Sequence, residues 1–583
     1  MPLFDRARMD EAIKTSRMAA LDYLASTYET RWFKAEHIKS IVRQVYPGTI
    51  FRDSMGLCAH LQKEFSDRGI DDFGFAGMEP MPLLDLWSTT FSQNPKFVPE
   101  LVPYELEREQ LVRLRQQQEL EVRLRHQRTV SPAPMMVDAV RRHAVDIPLM
   151  RNGRLTRVPP DSSFLALDSN GHAAVGYVFE HPGVQLAFLF GGNAAEPILR
   201  ATVAMFDDGQ LIALVGKDNA FIKIPNTLFR LLRRLEERRE TPRTVSARGS
   251  ADRDERPIVS ALGFSRNFGH TIINDLAGWE LTEQFLRQGM IDKVLLDEGG
   301  LAAAETFYRG IRTSEKTERV QVTIPFFHDS RDELFVKLSH QLPLDETTRR
   351  VIKSGRALLR KRRGDGHADL LDLARTPERK RMVLGVGRRP GSRNPINEKQ
   401  FVLQLSDKIV ELFGPDMTVL VDGMTSTYRQ FRDGQEIEDA YCDEIIAALR
   451  ERHGPRLSLV RMAGLTLPEK VVVADGARLG IYPYGSGMVA GIFLLDLHVM
   501  LHGPAGFTDN RAWDWHIEPA CRLGRSHGFD FLPRKSAENR GYHIDIPAAL
   551  TLFESRASEL VGVERDSQNG DARISTCNEG IGT

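Results

Sequence analysis

The chain has 583 residues, 42% of them apolar and 27% charged, with a formal net charge of -1. That length exceeds one hydrophobic core and implies roughly two to four domains. Without a basic surplus the chain is not expected to bind nucleic acid as a whole, and its four cysteines show no CxxC spacing, which sets aside a zinc site or a disulfide scaffold.

The N-terminus, MPLFDRARMDEAIKTSRMAALDYLA, is charged and amphipathic and lacks the apolar core of a signal peptide. Residues 1–135 read as a helical region, with helix-like spacing in DEAIKTSRMAALDYLAS and EHIKSIVRQVY and a long charged helix near 105–128. Residues 136–256 form a β-rich segment: SSFLALDSNG, HAAVGYVFEH, VQLAFLFGG, ATVAMFDDGQ and LIALVGKD read as short strands separated by turn residues. An amphipathic helix, IPNTLFRLLRRLEERRE, follows them.

From residue 257 helices and strands alternate. Residues 257–345 contain PIVSALGF, DKVLLDEG and VQVTIPFFHD as strands, with HTIINDLAGWELTEQFLRQ and AAAETFYRGIR as helices. A basic linker, 346–380, leads to a second alternating unit at 381–530. A C-terminal extension spans 531–583 and ends in residues of tail composition. Alternation of this kind predicts parallel sheets covered on both faces, and two such units in tandem predict a cleft between them. The fold class expected is therefore α/β, with two tandem Rossmann-like units preceded by the helical region and the β-rich segment. The longest apolar run, 488–501, is interrupted by Asp496 and His498 and is too short to span a bilayer. A cytoplasmic location is expected, with peripheral membrane contact left open through the basic segment.

Three stretches carry the chemistry. In VLGVGRRPGSRNPINEKQF a strand runs into Gly387, Arg388 and Arg389 ahead of a helix. Ligands of open α/β sheets sit beyond the carboxyl ends of strands, and guanidinium groups bind phosphate bidentately. The spacing is neither the GxGxxG fingerprint nor a P-loop. In GIYPYGSGMVAGIF a second strand turns through Tyr484, Gly485, Ser486 and Gly487. Alone, either loop reads as a solvated or sterically tight turn; two in one sheet suggest a nucleotide diphosphate. The third stretch, FSRNFGHTIINDLAGW, places Arg266, Asn267, His270, Asn274 and Asp275 together. A histidine at a helix start is kept neutral by the helix dipole and suits a general base, and Asp275 is the alternative. His328 and Asp329 compete for that role from a neighbouring strand end. By itself the stretch reads as a capped helix with a structural histidine. No metal-ligand spacing is present in HGPAGFTDNRAWDWHIEP, and VLVDGM lacks a second acid, so no metal is expected.

NFGH followed by an apolar helix, a strand ending in RR before INEKQ, and a late YGSG turn together resemble glycosyltransferase family 61, over residues 257–525. The resemblance implies a GT-B-like architecture and transfer of a sugar from a nucleotide donor without a metal or other cofactor. Asn267, Phe268, Gly269 and His270 match the family's N-Y/F-x-H stretch, and Arg388 and Arg389 match its arginine-bearing strand end. The family's late turn usually reads G-x-H-G-A, where this chain has Tyr484-Gly485-Ser486-Gly487-Met488. The expected function is an inverting hexosyl- or pentosyltransferase of polysaccharide biosynthesis, acting on a glycan, lipid-linked or protein acceptor. Gly387, Arg388, Arg389 and Tyr484–Gly487 would hold the donor, His270 or Asp275 would act as base, and Arg266, Asn267 and Asn274 would line the acceptor side. The alternatives are a nucleotide-sugar epimerase or hydrolase on the same fold, and a non-catalytic module that binds a glycan or a protein.

Overall fold

The computed structural model describes residues 5–566 with gaps. Residues 1–4, 71–146 and 567–583 lie outside the described residues, as do several loops, among them 216–224, 242–255, 265–275, 299–307, 337–344, 388–393, 424–431, 484–492 and 505–528. The expected charged helix near 105–128 therefore falls outside them. The chain divides into two compact units, Met1–Ala304 with Tyr308–Gln341 and Glu305–Phe307 with Leu342–Thr583.

The first unit opens with helices α1 (Arg6–Thr15), α2 (Arg17–Thr27) and α3 (Ala35–Val45), strand β1 (Ile50–Arg52) and helix α4 (Ser54–Asp67). A hairpin, β2 (Ile147–Arg151) and β3 (Arg154–Val158), precedes the meander β4 (Ser162–Leu167), β5 (Ala173–His181), β6 (Val184–Gly191), β7 (Ile198–Phe206) and β8 (Leu211–Val215). Helix α5 (Pro225–Glu240) follows it. The meander lies in a seven-stranded sheet whose two faces are both buried. Side chains alternate along a strand. Phe164 and Ala166 pack with α1, α2, α3 and α5, while Leu165 and Leu167 enter a second core on the other face. Burial on both sides explains why these strands read as nearly continuous apolar runs; each fully buried Leu or Phe contributes about 1.5–3 kcal/mol.

That second core is completed by a four-stranded parallel sheet made of β9 (Ile258–Leu262), β10 (Lys293–Asp297), β11 (Thr317–Val320) and β13 (Leu334–Val336). Helix α6 (Leu276–Arg287) packs against β9, where Thr282 and Ser260 hydroxyls meet at 3.0 Å. A four-residue helix, α7 (Arg309–Arg312), precedes β11. The expected single strand VQVTIPFFHD is two strands in different sheets. Its first residue, Val320, ends β11, whereas β12 (Phe326–Ser330) pairs antiparallel with β4. The chain thus crosses from β11 to β13 by way of a strand of the other sheet. Arg234 and Arg238 of α5 both bind Asp329 and fix β12 there.

The second unit begins with α8 (Asp345–Lys361) and α9 (Ala368–Leu373). Helix α8 lies so close to α12 (Leu467–Val473) that a Cβ on Gly355 would overlap the Pro468 carbonyl. Between them run β14 (Arg381–Gly385), β15 (Asn394–Pro395), α10 (Glu398–Phe413), β16 (Thr418–Asp422), α11 (Arg432–His453) and β17 (Ser458–Arg461). The remainder is β18 (Leu479–Pro483), β19 (His498–His502), β20 (Phe529–Phe531), β21 (Arg534–Ser536), β22 (Gly541–Ile544) and α13 (Ile546–Asp566). Six strands form one parallel sheet in the order β17-β16-β14-β18-β19-β20. Numbered along the chain, that order is 3-2-1-4-5-6, the doubly wound order of dinucleotide-binding sheets. The four-stranded sheet of the first unit runs 3-2-1-4 by the same count. Both expected parallel sheets are therefore present, and each reverses its winding beside its first strand.

One face of the six-stranded sheet is covered by α10, α11 and α13, whose apolar residues share a core with Met382, Leu384, Val419, Val421, Ile481 and Met500. Helix α13 contributes Ile546, Ala549, Phe553 and Ala557, a stripe at helical spacing. On the other face the buried Arg381 donates to the carbonyls of Leu373 and Val473, at 3.2 and 2.8 Å, and so satisfies the ends of α9 and α12.

At the reversal the strands approach closely. A Cβ on Gly385 would lie 2.6 Å from Tyr482 Cδ1, whereas one on Gly387 would meet only Pro483, at 3.5 Å. Gly385→Ala is expected to cost about 1–3 kcal/mol of stability by overpacking, and Gly387→Ala less than about 0.5 kcal/mol. Urea unfolding of the two variants checks this, and equal midpoints would contradict it.

Candidate functional site

In an open α/β sheet the first strand and the strand across the reversal leave toward opposite flanks, so a crevice opens beyond their carboxyl ends. In the second unit these strands are β14 and β18, which run in register with Leu384 beside Ile481. The segment after β14 begins Val386-Gly387 and continues into Arg388 and Arg389; the segment after β18 begins with Tyr484-Gly485-Ser486-Gly487. Both glycine-rich stretches thus follow the two strands that flank the crevice. Gly387 is described; Arg388, Arg389, Tyr484, Gly485, Ser486 and Gly487 lie outside the described residues.

The first unit repeats the placement. Its reversal falls between β9 and β13. Gly263, with a φ of 75°, turns the chain out of β9 into the segment that carries Arg266, Asn267, His270, Asn274 and Asp275. Those five residues lie outside the described residues, and α6 is described from Leu276 rather than from the expected start at His270. The competing base Asp329 is not at the carboxyl end of this sheet. It sits on β12, and although burial pushes its carboxyl up, Arg234 and Arg238 outweigh that and hold it below its ordinary value. A carboxylate so engaged is a poor proton acceptor, which corrects that expectation for Asp329.

Buried polar groups crowd the carboxyl edge of the six-stranded sheet. On the α12 face, Lys470 Nζ donates to Asp422 Oδ1 at 2.5 Å and to the Gly423 carbonyl at 2.7 Å. Burial raises the Asp422 carboxyl and the Lys470 charge opposes it. In a dinucleotide-binding sheet an acid at the end of the second strand holds the ribose; here that acid is taken up by a lysine of the same unit. On the α10 face, the Gly387 N–H points at Glu398 Oε2, 3.4 Å away. Glu398 opens α10, where a carboxylate complements the helix dipole, and it is 1% exposed. Its Oε1 lies 3.8 Å from His502 Nε2, and His502 Nδ1 is 2.7 Å from the Tyr542 hydroxyl.

Burial drives His502 down to about 3, so the ring is neutral and its contact with Glu398 is not an ion pair. Burial first, and then the Glu398 charge, push the Tyr542 hydroxyl above its ordinary value. The 2.7 Å hydrogen bond between the Tyr542 hydroxyl and His502 Nδ1 has its donor set by the ring tautomer.

The C-terminal strand completes the arrangement. β22 pairs with β15, and Ile396 N–H donates to the Tyr542 carbonyl at 2.9 Å. The Asn397 side chain stands at the N-cap of α10 but makes no capping bond. Its amide instead donates to the Ile544 carbonyl and accepts from the Ile544 N–H, both at 2.8 Å. Asn397, Glu398 and Tyr542 were not among the residues expected at the site. The only signal was the Asn-Glu pair at the helix start, which reads as ordinary capping. Among the described residues no group of three His, Cys, Asp or Glu side chains could hold a metal ion. No helix among them is long and apolar enough to cross a membrane.

No protein-family model and no curated protein matches the chain. Among solved structures, it is similar to the E. coli ADP-heptose lps heptosyltransferase II, at 10% identity and a TM-score of 0.27. The match covers 52% of this chain and 99% of that one.

The neutral burial of His502 has a consequence for acid stability. Below pH 6.5 the unfolded chain protonates this ring, while the folded chain resists down to about 3. Its contribution to stability is therefore present above 6.5 and is lost as pH falls toward 3, by up to about 1.4 kcal/mol per pH unit. In denaturant titrations between these limits, His502→Gln should show a shallower loss than the unmodified chain. Parallel pH profiles would contradict the assignment.

Proposed function

We propose that the protein is a glycosyltransferase that takes its sugar from a nucleotide donor, with the diphosphate held at the reversal of the six-stranded sheet. The observation that carries this reading is the placement of the two glycine-rich stretches, 386–389 and 484–487, after β14 and β18. Backbone N–H groups of such loops and the paired guanidiniums of Arg388 and Arg389 suit two linked phosphates. They would also stabilise the charge that develops on the departing diphosphate. The likeness of NFGH, RR and YGSG to glycosyltransferase family 61 supplies the reaction class. The pairing of Asp422 with Lys470 speaks against a nicotinamide dinucleotide, and so against an epimerase that needs one.

In this reading His270 deprotonates the acceptor hydroxyl, with Asp275 the alternative. Arg266, Asn267 and Asn274 orient the acceptor, which is a glycan, a lipid-linked sugar or a protein. The transfer inverts the anomeric centre and needs no metal.

Arg388→Ala should weaken binding of the nucleotide donor by about 10- to 100-fold through loss of a charge-assisted pair. Calorimetric titration with UDP, GDP, ADP and CDP checks this, and unchanged affinity for the nucleotide that binds would sink the assignment. His270→Ala should slow transfer by about 100-fold or more at unchanged donor affinity. A near-normal rate would remove His270 as the base.

A further inference from the structure

We infer that the outward face of α8 is a docking surface for a bilayer rich in anionic lipid headgroups, met through Arg349, Lys353, Arg356 and Arg360. The inner face of this helix is formed by Thr347, Thr348, Val351, Gly355 and Leu359, all buried, with Gly355 against the Pro468 carbonyl of α12. Arg349, Lys353, Arg356 and Arg360 are all exposed. At 3.6 residues per turn they fall within about 60° of arc on the opposite side and extend over about 16 Å of helix.

This line of cations is not neutralised from within. Residues 349–363, RRVIKSGRALLRKRR, hold eight cations and no carboxylate. Arg362 reaches Glu469 of α12, whereas among the described residues no ion pair engages Lys353, Arg356 or Arg360. Like charges four residues apart, as at 349 and 353 and at 356 and 360, oppose helix formation. The stripe is a local cost that counter-charge from outside the protein removes.

The same face limits what kind of anion fits it. With a formal net charge of -1 the chain has no overall positive field, so attraction is confined to this stripe. No aromatic or amide side chain occurs between 349 and 361 to stack on a base or read its edge. The exposed positions carry no large apolar side chain that would enter hydrocarbon. A straight line of charge matches a flat, densely anionic surface, and the contact is peripheral. Each lysine or arginine close to such a surface favours partitioning by roughly fivefold, and salt screens the attraction. No residue of the candidate donor site takes part, so the inference stands apart from that reading.

Sedimentation of the full chain with sucrose-loaded vesicles tests this, using phosphatidylcholine alone or with about one-third phosphatidylglycerol. The unmodified chain should bind the second and not the first, and about 0.5 M salt should release it. Lys353→Gln, Arg356→Gln and Arg360→Gln together should weaken binding about 100-fold. Arg356→Lys with Arg360→Lys keeps the charge and should bind within about twofold of the unmodified chain. Lys399→Gln, Arg450→Gln and Arg456→Gln together remove as many exposed cations elsewhere in the unit and should leave binding unchanged.

No binding to the anionic vesicles, equal binding to both vesicle types, or an unaffected α8 glutamine triple would overturn the proposal. So would an equal loss in the control triple, which would trace the effect to net charge alone. Polarisation titrations with a labelled DNA duplex decide the remaining alternative. A duplex bound more tightly than the vesicles, and released by the same α8 substitutions, would make the occupant a nucleic acid and overturn the proposal.

Discussion

The reversal of strand order between β14 and β18 is the constraint on which the candidate site depends. Two neighbouring parallel strands whose connections leave in opposite directions cannot both be roofed by helices at their carboxyl ends, so backbone is left facing an open crevice. For the strands to pack at that point, Tyr482 must lie against a residue with no side chain, and Gly385 is that residue. The same topology recurs in the first unit between β9 and β13. There the second covering layer is a largely antiparallel sheet instead of helices, and β12 takes the place of a crossover helix.

Among the described residues the carboxyl edge is polar, and its polar groups meet one another. Asp422 and Lys470 neutralise each other on one face. On the other, a neutral imidazole stands between a phenol and a carboxylate. Leaving any of these groups unmatched in a water-excluded place would cost several kcal/mol, on the order of the net stability margin of a domain. Asp422 is engaged by Lys470, and burial keeps the His502 ring neutral near neutral pH.

Much of this was legible in the sequence because the signals were local. The alternation of buried strands and amphipathic helices from residue 381 onward translated directly into β14, β16, β17, β18 and β19, since each strand is short, mostly apolar and bounded by turn residues. The glycine-rich stretches could be placed at strand ends for the same reason. What escaped was non-local. Nothing in VQVTIPFFHD marks the point where the chain leaves one sheet for another, because its apolar residues recur from Val320 through Phe327; the decision is made by β4 and by Arg234 and Arg238. Likewise GYHIDI gives no hint that it pairs with residues 394–395, as a two-residue bridge has no periodicity to read. Asn397 and Glu398 looked like helix-start residues, and only their partners make them more than that.

The decisive question is whether a nucleotide diphosphate occupies the reversal of the six-stranded sheet. Photo-crosslinking with azido analogues of UDP, GDP, ADP and CDP, followed by peptide mapping, tests this most directly. Label is expected only in peptides containing residues 386–393 and 484–490, and excess unlabelled nucleotide should abolish it. Specific labelling elsewhere in the chain, or none that unlabelled nucleotide competes away, would contradict it.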